Sequence, residues 1–118
     1  GLEVGRRGRR VAQVELDDLA DPADPGLVPA DRLGRHAGRR VAVAGLSCAR
    51  RRVETRTGES MLFLTLADRA GLVECVLPPA VYRAHAAATR ATALRVEGRV
   101  EVTLDAVTLH AEHLVTLG

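Results

Sequence analysis

The sequence predicts an all-β domain of five strands with a single helix between the third and the fourth. Three observations predict it. Residues 39–77 hold three apolar runs of period two separated by polar turns; residues 78–89 open with two prolines and are then dominated by Ala; and alternation returns over 93–102 and 107–116 across a short turn. At 118 residues and 47% hydrophobic composition, the chain has the size of one domain and buries a core without metal or disulfide staples.

The N-terminal part is the least patterned. With Gly rather than Met as its first residue, the chain is expected to be a domain excised from a longer protein. Residues 1–10 form a Gly/Arg run with no packing pattern, which reads as a solvated tail. Residues 11–16 suit a short strand, and 17–29, with Pro22, Pro25, Gly26 and Pro29, are a breaker-rich linker. Residues 30–37 suit one or two helical turns that Gly38 ends. The expected division is an extension over 1–38 and a barrel over 39–118.

Each strand follows from its alternation. In the first, Val41 and Val43 point one way and Ala42 and Ala44 the other, and Gly45 marks a bulge or a bend. Residues 50–60 then read as a loop. In the second, Leu62, Leu64 and Leu66 make an aliphatic face, while Met61, Phe63 and Thr65 share the opposite one. Asp68 to Gly71 is a hairpin turn. In the third strand Val73, Cys75 and Leu77 alternate with Leu72, Glu74 and Val76. The helix starts after Pro78 and Pro79, since Pro is tolerated in a first turn. Val81 with His85, and Tyr82 with Ala86, share helix faces and are assigned to packing. Residues 93–102 are the fourth strand, with a bulge expected at Gly98, and 107–116 the fifth. The turn at 104–106 between them offers little reach.

Within that frame two segments carry a specific pattern. G-L-x-x-x-R-R-R over 45–52 is followed by F-L-T-L-x-D-R-x-G-L-V-E over 63–74, and L-x-V-x-G-x-V recurs at 94–100. This pattern resembles the nucleic-acid-binding OB-fold of class II aminoacyl-tRNA synthetase anticodon domains and of the C-terminal part of bacterial DNA polymerase III alpha subunits. V-A-G-L at 43–46 and A-L-R-V-E-G-R-V at 93–100 look closer to the polymerase, or its error-prone paralogue, than to a synthetase. The resemblance spans 39–115 and implies a five-stranded Greek-key OB-fold barrel, with the helix closing its bottom.

Charge distribution says more than net charge. The formal value is only +2, and all seventeen basic side chains are Arg. They concentrate at Arg6, Arg7, Arg9 and Arg10, at Arg39 and Arg40, and at Arg50, Arg51, Arg52 and Arg56, while acids gather at Glu15, Asp17, Asp18, Asp21 and Asp24. OB-folds bind oligonucleotides across strands two and three, flanked by the loop between strands one and two. Arg50, Arg51, Arg52 and Arg56 lie on that loop or the strand end before it, and guanidinium groups both pair with phosphate and stack on bases. Phe63 is the candidate stacking platform, a role the resemblance also implies, and Thr65 shares its face. Glu74 falls where the resemblance places a polar group toward a base edge; many relatives carry Gln or Asn there. A carboxylate accepts from a cytosine amine but repels phosphate.

Aromatic content of 2% limits stacking to Phe63 and Tyr82, so binding of single-stranded DNA by this domain is expected to be weak and salt-sensitive. That suits an accessory domain that positions a template strand. Two other readings stay open: a protein-interaction domain docking on other replisome subunits, and an anticodon-binding domain. Catalytic motifs are absent: there is no carboxylate pair beside a nucleophile, no Gly-rich phosphate loop and no C-x-x-C. The sequence therefore implies no catalytic residue, no cofactor, no metal and no small-molecule substrate. His110 and His113, three apart on a strand, are expected on opposite faces. Cys48 and Cys75 read as buried thiols of a reducing compartment. No run is long enough to span a membrane and no signal-peptide pattern occurs, so a cytoplasmic location is expected.

Overall fold

Leu62, Leu64 and Leu66 are each at most 1% exposed, whereas Met61, Phe63 and Thr65 keep partial exposure. The alternation of that run thus becomes the two faces of a sheet. The computed structural model describes residues 26–117, so the tail at 1–10, the strand expected at 11–16 and most of the linker lie outside the described residues. Five strands, β1 (Arg40–Glu54), β2 (Ser60–Asp68), β3 (Gly71–Leu77), β4 (Ala93–Thr103) and β5 (Ala106–Thr116), close a barrel in the order β1-β2-β3-β5-β4. All pairings are antiparallel except β3 with β5, which is parallel and short, from Glu74↔Thr108 to Val76↔His110.

Strand β1 serves two partners. Arg40 to Leu46 pair with β4, and Leu46 to Glu54 pair with β2. Gly45 sits immediately before this exchange, where a Cβ would lie 2.7 Å from the Ala67 carbonyl oxygen. Only a residue without a side chain lets the strands cross so closely. The bulge itself falls three residues later: Ser47 pairs with Leu66 and Ala49 with Thr65, which leaves Cys48 as the extra residue. Residues 50–54 continue as strand, so the loop between β1 and β2 is only 55–59. Their Arg-rich composition reads as loop, yet residues 60–64 of β2 supply an antiparallel partner for every one of them.

The barrel ends are closed by different segments. A 3-10 helix, Ala30–His36, carries Leu33, 2% exposed, into the end where β1 begins. Before it, Val28 and Gly26 bracket Ala42 with two backbone hydrogen bonds of 2.8 Å, and Val28 joins the core. Within the segment grouped above with the extension, Val28 and Leu33 are core residues and Ala30 packs against them. Asp68 ties the same end together: one carboxylate oxygen accepts from the Ala30 N–H at 2.9 Å, the other from those of Ala70 and Gly71. At the opposite end lie α1 (Pro79–His85) and a 3-10 turn, Ala88–Arg90. The helix is shorter than its Ala content predicts, because the chain tightens there to bury Thr89, whose hydroxyl donates to the Ala86 carbonyl at 2.6 Å. Val81 and Tyr82 pack against the core as expected. No helix among the described residues is long and apolar enough to cross a membrane.

The two thiols differ. Cys75 is fully buried, and burial, reinforced by the Glu74 carboxylate, pushes its thiol up to about 12. Cys48, expected in the core, is exposed because it is the bulged residue. A thiol reagent should label Cys48 in the native protein and Cys75 only after unfolding; equal labelling rates would contradict the burial.

Candidate nucleic-acid interface

The outer surface of the barrel is ordered in cross-strand rows. Facing residues in a sheet point to the same side, so the register places Arg51, Phe63, Val76 and His110 in one row from β1 to β5. Ala49, Thr65, Glu74 and Thr108 form the next. In the first row the Arg51 guanidinium carbon stands 4.9 Å from the centre of the Phe63 ring, a cation–π contact. Phe63 is half-buried and Arg51 exposed. Thr65 and Glu74 are direct neighbours across β2 and β3, two residues along from Phe63 and Val76. Further around, the Glu101 carboxylate meets His110 Nε2 at 2.8 Å.

Arg51 owes its place to the bulge. Counting by twos from Val41 and Val43 would put residue 51 inside and Arg50 and Arg52 outside. The extra residue at Cys48 inverts that order, so Arg50 faces the side of Leu64 and Arg52 that of Leu62. Of the four candidate arginines, then, Arg51 shares the Phe63 face, Arg50 and Arg52 lie on the reverse, and Arg56 is at the loop tip. Arg52 and Arg56 are exposed and form no ion pair among the described residues.

Arg50 has an internal partner. Its Nη2 donates to the Thr89 hydroxyl at 3.2 Å, which clamps the β1–β2 hairpin to the turn below the barrel. A second clamp joins the loop to α1, Arg83 Nη1 donating to Glu59 Oε2 at 2.8 Å. Because Thr89 is 1% exposed, removing its partner costs stability: Arg50→Ala should lose about 1 kcal/mol in denaturant unfolding. Its effect on oligonucleotide affinity should be smaller than that of Arg51→Ala, and the reverse ranking would show that the hairpin presents its other face.

Sequence reasoning missed two further features. A cavity of about 330 Å³ opens between the hairpin and α1, lined by Glu59, Ser60, Tyr82, Arg83 and Ala86. Tyr82 therefore lies on the core side of the hairpin, opposite Phe63, and the two rings cannot stack one continuous run of bases. Second, a bulge at Glu112 brings His113 to the outer surface: Leu109, Ala111 and Leu114 are the buried residues of β5. His110 and His113 thus both face outward, contrary to a strict alternation. The β4–β5 turn is as short as expected, with Leu104 fully exposed at φ 45.

The fold has counterparts among known proteins. Over 99 residues, 81% of this chain, it is 41% identical to an error-prone DNA polymerase of Mycolicibacterium paratuberculosis, and over 119 residues it is 35% identical to that of Nocardia farcinica. It spans about a tenth of the length of these relatives, 9% and 10% respectively. Among solved structures, asparaginyl-tRNA synthetase of Pyrococcus horikoshii, complexed with asparaginyl-adenylate, superposes with a TM-score of 0.63 at 23% identity, covering 76% of this chain and 22% of the synthetase. Replication protein A of U. maydis bound to single-stranded DNA gives 0.53 at 18% identity, covering 78% and 71%. Both share the fold. A family model, tRNA anti-codon, described as an OB-fold nucleic acid binding domain, matches residues 41–117. With that match covering most of the chain and the closed five-stranded barrel beneath it, the protein belongs to the OB-fold nucleic-acid-binding domain family.

Proposed function

We propose that this domain binds single-stranded nucleic acid as a non-catalytic part of an error-prone, polymerase III alpha-type DNA polymerase, and that it positions the template strand. The observation that carries the reading is the Arg51–Phe63 pair on the outer face of β1 and β2. A base takes the place of the guanidinium on the Phe63 ring, and Arg51 turns to the adjacent phosphate. The exchange is favourable in magnitude: an exposed cation–π contact is worth about 0.5–1 kcal/mol, whereas base stacking on an aromatic ring is worth about 1–3 kcal/mol. Thr65 offers a hydroxyl to the next nucleotide, and Glu74 favours a base with an exocyclic amine there. Arg56 at the loop tip, with Arg52 behind the hairpin, adds attraction for phosphate without reading sequence.

Fluorescence anisotropy of a labelled oligo-dT tests this at two salt concentrations. Binding should weaken with a log–log slope of about −0.7 for each phosphate neutralised. Stronger binding to the matching oligo-U would assign the face to RNA through its 2′-hydroxyl. Absence of binding at low salt would make the face protein-directed, docking on another subunit of the replisome. The location that goes with the reading is the cytoplasm, where bacterial DNA is replicated.

A further inference from the structure

We propose that His85 and His113 form a metal clip, a two-imidazole site for a first-row divalent ion of the Ni²⁺, Cu²⁺ or Zn²⁺ type at the junction of α1 and β5. His85 Nδ1 stands 3.1 Å from the Val81 carbonyl oxygen. A carbonyl only accepts, so Nδ1 carries the proton and Nε2 presents its lone pair outward. That lone pair meets His113 Nδ1 at 3.1 Å, with the rings edge to face at 82° and their centres 5.0 Å apart.

The separation suits a shared ion. Two metal–nitrogen bonds of about 2.1 Å spanning the 3.1 Å gap meet at roughly 95°, the angle of neighbouring ligands in square-planar or octahedral coordination. Nickel and copper take that geometry once both rings rotate to turn their lone pairs from the hydrogen-bond line toward the shared ion, and a zinc tetrahedron needs the nitrogens to part slightly further. The hydrogen bond from His85 to a backbone carbonyl is the outer-shell contact that orients a ligating imidazole. When an ion enters, His113 shifts its own proton from Nδ1 to Nε2, so both rings remain neutral and no net proton is released. Among the described residues no group of three or more His, Cys, Asp or Glu gathers around an ion, so water fills the remaining positions. Glu97, the register partner of His113, and Glu112 beside it are engaged by Arg95 and Arg40 and lend negative charge nearby.

The clip has a structural consequence. Helix α1 has seven residues, none fully buried, and rests on the core through Val81 and Tyr82. An ion held by its last residue and by β5 would cross-link the helix from outside the core. The site lies on elements separate from the Arg51–Phe63 pair and does not depend on the nucleic-acid reading.

Calorimetric titration of the protein with Ni²⁺ and with Zn²⁺ in a non-coordinating buffer is the test, with Mg²⁺ as the oxygen-preferring control. The expected result is one Ni²⁺ or Zn²⁺ per chain, no Mg²⁺ uptake, and slower amide exchange over residues 79–85 in the loaded protein. Loss of an outer-shell partner costs about 10–100-fold in metal affinity, so loss of a ligand in His85→Ala or in His113→Ala should cost at least as much. The chain's other two histidines serve as the control, and His36→Ala/His110→Ala should bind as the parent does. Exposed His113 makes its variant the one least dependent on folding. No saturable uptake, uptake unchanged in the His113 variant, or uptake lost only with His36 and His110 would each overturn the proposal.

Discussion

Gly98→Ala should leave a barrel that melts at least 10 °C lower, if it folds at all. Gly98 is where β4 and β5 slip register, and a Cβ there would lie 2.2 Å from the His110 carbonyl oxygen, 2.8 Å from its carbon and 2.9 Å from the Ala111 Cα. All three are backbone atoms, so no rotamer change relieves the contact. The strands must separate, which breaks ladder hydrogen bonds on the pair that completes the barrel. Overpacking a core costs about 1–3 kcal/mol, and a clash with three backbone atoms of the facing strand β5 should cost about 3 kcal/mol or more. A small domain loses roughly 4–8 °C for each kcal/mol. Circular-dichroism melting checks this against Gly34→Ala, whose added carbon would lie 3.4 Å from Val107 Cγ2, an ordinary contact. A Gly98→Ala melt that matches the Gly34→Ala one would contradict the register at the bulge.

Phe63→Ala should weaken oligo-dT binding about 5- to 160-fold, the range that corresponds to losing one stacked base. Its cost in stability should be moderate, because Phe63 lies on the outer face while Leu62 and Leu64 on either side hold the core. Arg51→Ala should also weaken binding and flatten the salt dependence, since it removes a phosphate partner. The two substitutions touch one contact pair, so the double variant should lose less than the sum of the singles. If Phe63→Ala binds as the parent does while Arg51→Ala does not, the interface is electrostatic only and stacking is no part of it.

How far the sequence reaches can be judged from β1. Its alternating Val and the aliphatic face of β2 announce strands, because side-chain period maps directly onto the two sides of a sheet. What alternation cannot reveal is where an extra residue enters. Cys48 carries no glycine signal, yet it decides which arginine stands beside Phe63 and hides the polarity of the hairpin. A similar slip at Glu112 moves His113 to the outer surface, where it meets His85 across a separation of 28 residues. Gly98 was legible as an irregularity because a missing side chain is a local feature, but the extra residue is Glu112 on the facing strand, and Gly98 supplies the close approach opposite it. Gly45 was legible as an irregularity but not as the exchange point between two partners. The role of Arg50 as a clamp depends on Thr89, 39 residues away, and no local pattern encodes it.

The double service of β1 bears on synthesis at the ribosome. Its second half finds β2 within a hairpin, so 46–54 are paired as soon as residues 60–67 emerge. Its first half must wait for β4, and 40–46 keep one sheet edge open until residues 93–99 are made. An apolar edge left open during elongation is the kind that recruits other chains. Gly26 and Val28 hydrogen-bond to Ala42 from the other side, and being already translated they can shield only that side. Nascent chains stalled before residue 93 should therefore be the form that chaperones hold and that aggregates, whereas chains released after β5 should not.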